Sequence, residues 1–200
     1  MSDMSLRAYG ARWAREFDLN TEQMYGRLRA LVDQSELESG GVKGSGKSKP
    51  FTPRNWIMLV LAMMSSDTKV GAGERAPEIA RLPDVTATLP PGTGAPGTNR
   101  YPGSADLRAR VVGDGEHTQL ETALVTIITT PALIGVVTEL EVSRWRPQAW
   151  LRLHDRHAGT SAEMVFATRP AVDVVADNTV RLSGWAFDRF IEDVEDIKSG

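Results

Sequence analysis

A stretch rich in proline and glycine divides the chain into two parts of different character. It covers residues 71–104, and proline or glycine recurs every few residues in its second half, 89–104. Because both residue types interrupt helices and strands, we expect no regular element here and predict a linker or a long surface loop. Residues 5–66 before it have the spacing of helices, whereas residues 105–200 after it show the alternation of strands with one or two helices.

The composition is that of an ordinary globular protein, with 41% hydrophobic and 24% charged residues among 200. The net charge of −3 excludes a uniformly basic nucleic-acid coat but allows a local basic patch. The absence of cysteine excludes disulfides, zinc ribbons, iron–sulfur clusters and cysteine nucleophiles. The longest apolar run, 56–64, is much shorter than the roughly 20 residues of a membrane helix, and the first residues are polar. We therefore expect a cytoplasmic protein without a membrane partner.

The first part of the chain predicts three helices. The first covers residues 5–17, and the second covers residues 21–34 after a very short turn. Asn20 is a good N-cap for the second helix, and Gln23 occupies the capping-box position three residues later. So short a turn predicts that the two helices cross steeply.

The third helix has a clear beginning. Thr52 can cap it and Pro53 suits its first position, and the residues that follow, 56–64, are apolar on nearly every side. Such a helix lies either in the core or in the seam of an oligomer.

The first two helices resemble the helix-turn-helix of small bacterial and phage DNA-binding domains, over residues 13–31. Ala14 lies where that motif needs a small residue for close packing, and Met24 and Leu28 lie where its recognition helix is held to the core. The family usually has glycine in the turn; Asp18 stands there instead, and aspartate tolerates the left-handed conformation better than most residues.

The segment that follows, 37–54, resembles the wing of winged helix-turn-helix proteins of the excisionase and MerR type. Between residues 40 and 56 there are four basic residues and no acidic one, whereas residues 57–200 contain 14 basic and 19 acidic residues. Positive charge is thus concentrated on the element that would face phosphates. The four basic residues are Lys43, Lys47, Lys49 and Arg54.

The resemblance implies that the N-terminal turn of the second helix enters the major groove of double-stranded DNA. The candidate contacts to base edges and phosphates are Asn20, Thr21, Gln23, Tyr25 and, for the DNA backbone, Arg29. Glutamine is suited to a bidentate contact with adenine, whereas the wing lysines would add affinity with little specificity.

The wing also matches, formally, the glycine-rich pattern that binds nucleotide phosphates. Residues 41–48 have the spacing G-x-x-x-x-G-K-S. That chemistry needs a strand before the loop and a helix after it, but the preceding residues are polar and helix-terminal, and Pro50 and Pro53 prevent a long helix from beginning at Lys47. A flexible basic wing explains the same residues better than a nucleotide-hydrolysing enzyme does.

The second part of the chain predicts a small antiparallel sheet with helices. A helix over 117–130 is stopped by Pro131, and a last helix begins after Ser183. The predicted strands are 136–143, 149–154 and 163–168, with a hairpin turn at 145–148.

Trp145 and Trp150 flank this hairpin among arginines, including Arg146. They form either an aromatic and basic platform for a partner or ordinary cross-strand packing. Of the three histidines, His117 begins the predicted helix 117–130. His154 and His157 lie where a predicted strand ends in a turn, which favours a surface loop over a shared metal site, and no catalytic constellation is evident.

The predicted fold class is α+β in two modules. These are a winged helix-turn-helix over 1–70 and, after the linker 71–104, an α+β domain for oligomerisation or partner binding over 105–200. The predicted function is non-catalytic DNA binding as a phage- or prophage-type regulator or accessory factor. No cofactor is expected; the expected partners are double-stranded DNA, a second copy in a homodimer, and a host or phage protein. The alternatives are a small-terminase-like packaging subunit and a protein-binding inhibitor of a host complex.

Overall fold

The structure, a computed structural model, describes residues 11, 13, 14, 20–34, 52–86, 104–112, 118–168 and 179–189. They form an α+β fold. The helices are α1 (Thr21–Asp33), α2 (Pro53–Ser65), α3 (Lys69–Ala80), α4 (Ala105–Val112) and α5 (Leu120–Thr129). The strands are β1 (Val137–Ser143), β2 (Gln148–Asp155), β3 (Thr160–Ala167) and β4 (Thr179–Ser183), and residues 184–189 are again helical.

Helix α1 begins as the sequence predicts. The Asn20 side chain accepts a hydrogen bond from the Gln23 backbone N–H, and the Gln23 side chain accepts one from the Asn20 N–H, which completes the capping box. The helix buries Met24, Leu28 and Leu31 against the core. Of the predicted first helix, residues 11, 13 and 14 are helical; the rest of it and its turn lie outside the described residues.

Helix α2 is the centre of the fold, so of the two predicted positions, the core or the seam of an oligomer, it occupies the core. Thr52 caps it, Pro53 is its first residue, and every residue from Asn55 to Ser65 is buried. The Trp56 ring makes edge contacts with Trp13 at 5.8 Å and with Phe187 at 5.2 Å between centroids. Helix α2 therefore connects the N-terminal residues with those that follow β4.

The prediction that no regular element forms from residue 71 is wrong for residues 71–80, which belong to α3. The Thr68 side chain caps this helix, and the small residues Ala72 and Ala76 are completely buried on its inner face. A Cβ atom at Gly73 would lie 3.1 Å from the Ala30 carbonyl oxygen of α1, so glycine there permits a close helix crossing. Packing thus outweighs the weak helix propensity of glycine. Residues 87–103 of the predicted linker lie outside the described residues.

The four strands form one antiparallel sheet in the order β3-β2-β1-β4. The three predicted strands and the hairpin are confirmed, whereas β4 was not predicted. The segment from Pro83 to Thr86 follows the outer edge of β3, where the Val85 N–H donates to the Val165 carbonyl oxygen at 2.8 Å. The predicted stop at Pro131 is also confirmed, because α5 ends at Thr129 and a short 3-10 helix begins at Pro131.

The two faces of the sheet differ in chemistry. One face contributes Leu140, Val142 and Leu151 to the same core as α1 and α2. On the other face, Arg152 of β2 contacts three glutamates from its two neighbouring strands: Glu139 and, at 2.8 Å, Glu141 of β1, and Glu163 of β3 at 3.1 Å. The buried side chains of α2, α3 and the sheet form one continuous core, which joins the two predicted modules. The functional division into two domains stays a prediction. None of the helices in the described ranges is long and apolar enough to span a membrane.

Candidate nucleic-acid interface and a second groove

The outward face of α1 presents most of the residues that the resemblance selects for DNA contact. Asn20, Thr21, Gln23 and Arg29 are exposed, and Tyr25 is half-buried. The opposite face is fixed to the core by the buried side chains of Met24, Leu28 and Leu31. We call the four exposed residues the α1 surface. Helix α1 thus has the amphipathic form of a surface helix, with an apolar face on the core and a polar face in solvent.

The capping box limits what two of these residues can do. Asn20 Oδ1 accepts from the Gln23 N–H at 2.8 Å, and Gln23 Oε1 accepts from the Asn20 N–H at 3.1 Å. A bidentate contact between Gln23 and adenine uses both the amide oxygen and the amide nitrogen. Such a contact would therefore share or replace the hydrogen bond from the Asn20 N–H.

Arg27, two residues before Arg29, points into the protein. Its Nη2 atom donates to the Asp67 carbonyl oxygen at 2.9 Å, and its Nη1 atom lies 3.5 Å from the Met63 sulfur. Burial lowers the pKa of Arg27, while the nearby Asp67 carboxylate opposes that shift. Arg27 thus joins α1 to the loop between α2 and α3, and Arg29 is the arginine of α1 that faces solvent.

Arg54 is engaged within the fold. Its Nε atom donates to Glu121 Oε1 of α5 at 2.7 Å, and its side chain is 42% exposed. The ion pair takes part of the charge that the prediction assigned to a DNA phosphate. The other wing residues, Lys43, Lys47 and Lys49, and the phosphate-binding pattern over 41–48 lie outside the described residues.

The structure separates the aromatic residues of the predicted partner platform. Trp145 in the β1–β2 turn is 70% exposed, and Arg146 beside it is exposed. Trp150 is only 4% exposed and lies within the sheet, opposite Glu141 on β1 and Val165 on β3. A partner can therefore reach Trp145 and Arg146, whereas the ring of Trp150 is covered.

An arginine before Trp145 attaches this turn to the helices. Arg144 Nη1 donates to Asp67 Oδ2 at 2.6 Å, and Arg144 Nε donates to the Met64 carbonyl oxygen at 3.3 Å. Cations near the C-terminal end of a helix are stabilised by its dipole, and Met64 lies at that end of α2. Asp67 thus accepts from Arg27 of α1 through its carbonyl oxygen and from Arg144 of the β1–β2 turn through its carboxylate.

A second concave region lies at the opposite end of the sheet and was not predicted from the sequence. It has a cavity volume of about 920 Å3 and is bounded by α4, the turn before β1, the end of β2 with the β2–β3 turn, and the residues after β4. We call it the groove. The side chains and backbone groups that line it include those of Arg110, Ile134, Gly135, His154, Asp155, Arg156, His157, Trp185 and Asp188.

The carboxylates of the groove have partners inside the protein. Asp155 accepts from Arg110 Nη1 at 2.6 Å and from the backbone N–H groups of His157 and Ala158. The hydrogen bonds from Arg110 and then from the Ala158 N–H hold the pKa of Asp155 below its usual value. Asp188 Oδ1 accepts from the Gly135 N–H at 2.8 Å.

The two described histidines lie at this end of the sheet. His154 Nδ1 lies 2.9 Å from Ser161 Oγ on β3, and His157 is exposed in the β2–β3 turn, as the sequence predicts. Within the described ranges, no three acidic or histidine side chains are placed to hold a metal ion.

No short motif could have identified the groove, because its residues come from positions as far apart as 110 and 188.

Comparison of the chain with protein-family models, with curated proteins and with solved structures found no match.

Proposed function

We propose that the protein binds double-stranded DNA through the α1 surface, without catalysis. The observation that carries this proposal is the division of α1 into a buried apolar face and an outward face with Thr21, Gln23 and Arg29 exposed. A helix held in this way can lie in the major groove without losing its contacts to the core.

The residues of the α1 surface would have different roles. Arg29 lies about two turns after the N-cap and would contact a phosphate, whereas Gln23 and Thr21 lie in the first turn and would meet base edges. The lysines at positions 43, 47 and 49 would add affinity for any sequence.

In this proposal the protein acts as a regulator or accessory factor of the phage or prophage type. A homodimer would present two copies of α1 to half-sites about 34 Å apart, which is one turn of the duplex.

The first experiment selects bound duplexes from a random-sequence pool and compares the wild type with Gln23→Glu. Glutamate keeps the oxygen that accepts from the Asn20 N–H but lacks the amide donor that adenine needs. We expect the preference to change at one base pair while the other positions are kept. An unchanged preference would exclude the proposed orientation of α1, and a pool without enrichment or binding would exclude the function.

The second experiment replaces Lys43, Lys47 and Lys49 together with alanine. We expect affinity to fall by a similar factor for specific and random duplexes, with a weaker dependence on salt. An unchanged salt dependence would remove the wing from the proposal but leave α1 in it.

A second candidate function, protein docking, is favoured by one observation. The Trp145 ring is 70% exposed beside Arg146, and exposed tryptophan and arginine are typical of protein interfaces. If the partner is a second copy of the chain, Trp145→Ser should convert oligomers to monomers in light scattering. A ring-shaped assembly that persists in this variant would instead favour a packaging subunit.

A further inference from the structure

The groove has the size of a small-molecule site. Its cavity volume is about 920 Å3, and pockets for small ligands usually hold about 300–1,000 Å3. Its walls come from helix α4, from the ends of strands β1, β2 and β4, and from the turns next to them.

The acidic oxygens of the groove offer little to a cationic ligand. Asp155 already accepts three hydrogen bonds, one of them from the Arg110 guanidinium. Asp188 accepts from the Gly135 N–H through one of its oxygens.

The basic side chains of the groove have hydrogen-bond donors that a ligand can use. Among the residues that the structure describes, the side chains of Arg156 and His157 make no hydrogen bond and no ion pair. His154 uses Nδ1 for Ser161, so its Nε2 atom remains. Guanidinium and imidazole N–H groups are the donors that carboxylates and phosphates accept from most strongly.

The groove also contains exposed apolar surface. Trp185 is 49% exposed and Ile134 is exposed, although both are large hydrophobic residues. The Arg189 guanidinium lies 5.4 Å from the centroid of the Trp185 ring, over one of its faces. A planar ligand would therefore stack on the other face, and offset stacking is a favourable geometry for two rings.

We propose that the groove binds a small anion that carries a planar aromatic ring. The ring stacks on Trp185, and the anionic group accepts hydrogen bonds from Arg156 and His157. Aromatic carboxylates and nucleoside monophosphates share this chemistry. The groove and the Trp145 turn lie at opposite ends of β2, and no residue of α1 lines the groove, so the proposed ligand shares no residue with the DNA contact or with the protein-docking surface.

The experiment uses the full chain labelled with ¹⁵N. Each of the five tryptophans gives one indole N–H signal, and the signal missing from Trp185→Phe belongs to Trp185. The probes are salicylate and AMP, their uncharged counterparts salicylamide and adenosine, and inorganic phosphate as an anion without a ring. We expect salicylate or AMP to shift the Trp185 signal to saturation. The uncharged counterpart of that probe and phosphate should bind at least about tenfold more weakly, because each lacks one of the two interactions.

Calorimetry on variants then assigns the two interactions. Trp185→Ala should weaken the binding probe about 5- to 100-fold, the range expected for one lost stacking contact. Arg156→Gln, on the exposed turn, should weaken the charged probe but not its uncharged counterpart. The matched controls Trp145→Ala and Arg146→Gln lie at the other end of the sheet and should change neither affinity.

Three results would overturn the proposal. These are a Trp185 signal that neither charged probe shifts, an uncharged counterpart that binds as tightly as its charged partner, and a Trp145→Ala variant that loses as much affinity as Trp185→Ala. If Trp185→Ala fails to fold, Arg156→Gln decides the outcome alone.

Discussion

The α1 surface and the groove are built in opposite ways. The α1 surface consists of four residues between positions 20 and 29, on one helix and its N-cap, and its polar groups face solvent because the other side of the helix is buried. The groove collects residues from four parts of the chain, and its shape exists only when the sheet is complete. Residues on one helix recur at a fixed spacing in the sequence, so hydrophobic periodicity could predict the α1 surface. It could not predict the groove, whose residues are distant in the chain.

The regions also differ in how much of their charge is available. Arg27 of α1 and Arg110 of the groove are both used inside the fold, by Asp67 and Asp155. Arg29 and Arg156 are exposed. A count of arginines in the sequence therefore overstates the charge that each region offers to a ligand.

The largest expected effect comes from the packing of the groove wall. A Cβ atom at Gly184 would overlap the Val137 carbonyl group, so Gly184→Ala should force the start of the last helix away from β1. We expect the free energy of unfolding to fall by about 3 kcal/mol, the upper part of the usual range for overpacking. Urea denaturation measures the change.

The control for this variant is Gly159→Ala in the β2–β3 turn. Gly159 has a φ of +63° but no atom near a new Cβ, so alanine there brings only backbone strain. We expect a loss of about 1 kcal/mol. Equal losses in the two variants would contradict the close contact between Gly184 and β1.

The two arginines of α1 give the next contrast. Arg27→Ala should lower the free energy of unfolding by about 2 kcal/mol, because the Asp67 carbonyl oxygen loses a charged donor. Arg29→Ala removes an exposed side chain and should change stability by less than about 0.5 kcal/mol. The opposite ranking in urea denaturation would mean that Arg27 is the outward arginine.

A smaller effect tests the start of α1. Asn20→Ala removes the side-chain oxygen that accepts from the Gln23 N–H and should cost about 1 kcal/mol. Thr21→Ala, one residue later and without a cap hydrogen bond in the structure, serves as the control and should stay within about 0.5 kcal/mol of the wild type. If thermal unfolding shows no difference between the two, the capping box does not hold α1.

The smallest effect is a dependence on acid pH at the groove. The folded state lowers the pKa of Asp155, so its carboxylate stabilises the fold above the usual aspartate pKa, and this contribution is lost as the pH falls through the lowered value. Below about pH 4, stability should therefore fall more steeply in the wild type than in Asp155→Asn. Parallel pH profiles in urea denaturation would show that Arg110 does not hold this carboxylate.

Much of the fold could be predicted from the sequence because local signals determine it. The capping box of α1, Thr52 and Pro53 before α2, and the alternation in β1 and β2 each depend on residues close together in the chain. Helix α3 was missed because glycine and proline lower helix propensity, whereas Gly73 is favourable only where Ala30 lies against it. Strand β4 has five residues and gains its stability from pairing with β1.

Of the candidate sites, the α1 surface could be predicted from the sequence, whereas the exposure of Trp145 and the groove could not. Helix amphipathicity correctly separates the buried Met24 and Leu28 from the exposed Thr21 and Arg29. It could not predict that Trp150 within β2 is covered while Trp145 in the β1–β2 turn is exposed, because that depends on the residues that the fold places next to each ring. Nor could it place Trp185 and Arg156 in one groove, which requires β4 to lie beside β1.

The central claim, that DNA contacts α1 and not the groove, is tested most directly by the salt dependence of binding. Fluorescence anisotropy would measure the affinity of one labelled duplex at increasing salt for the wild type, Arg29→Ala, Arg181→Ala and Trp185→Ala. Arg181 is an exposed arginine on β4 and serves as the matched control.

We predict that Arg29→Ala alone lowers the slope of log affinity against log salt by about one phosphate contact. Arg181→Ala and Trp185→Ala should keep the slope of the wild type. A slope that is unchanged in Arg29→Ala, or that falls in Trp185→Ala, would contradict the account.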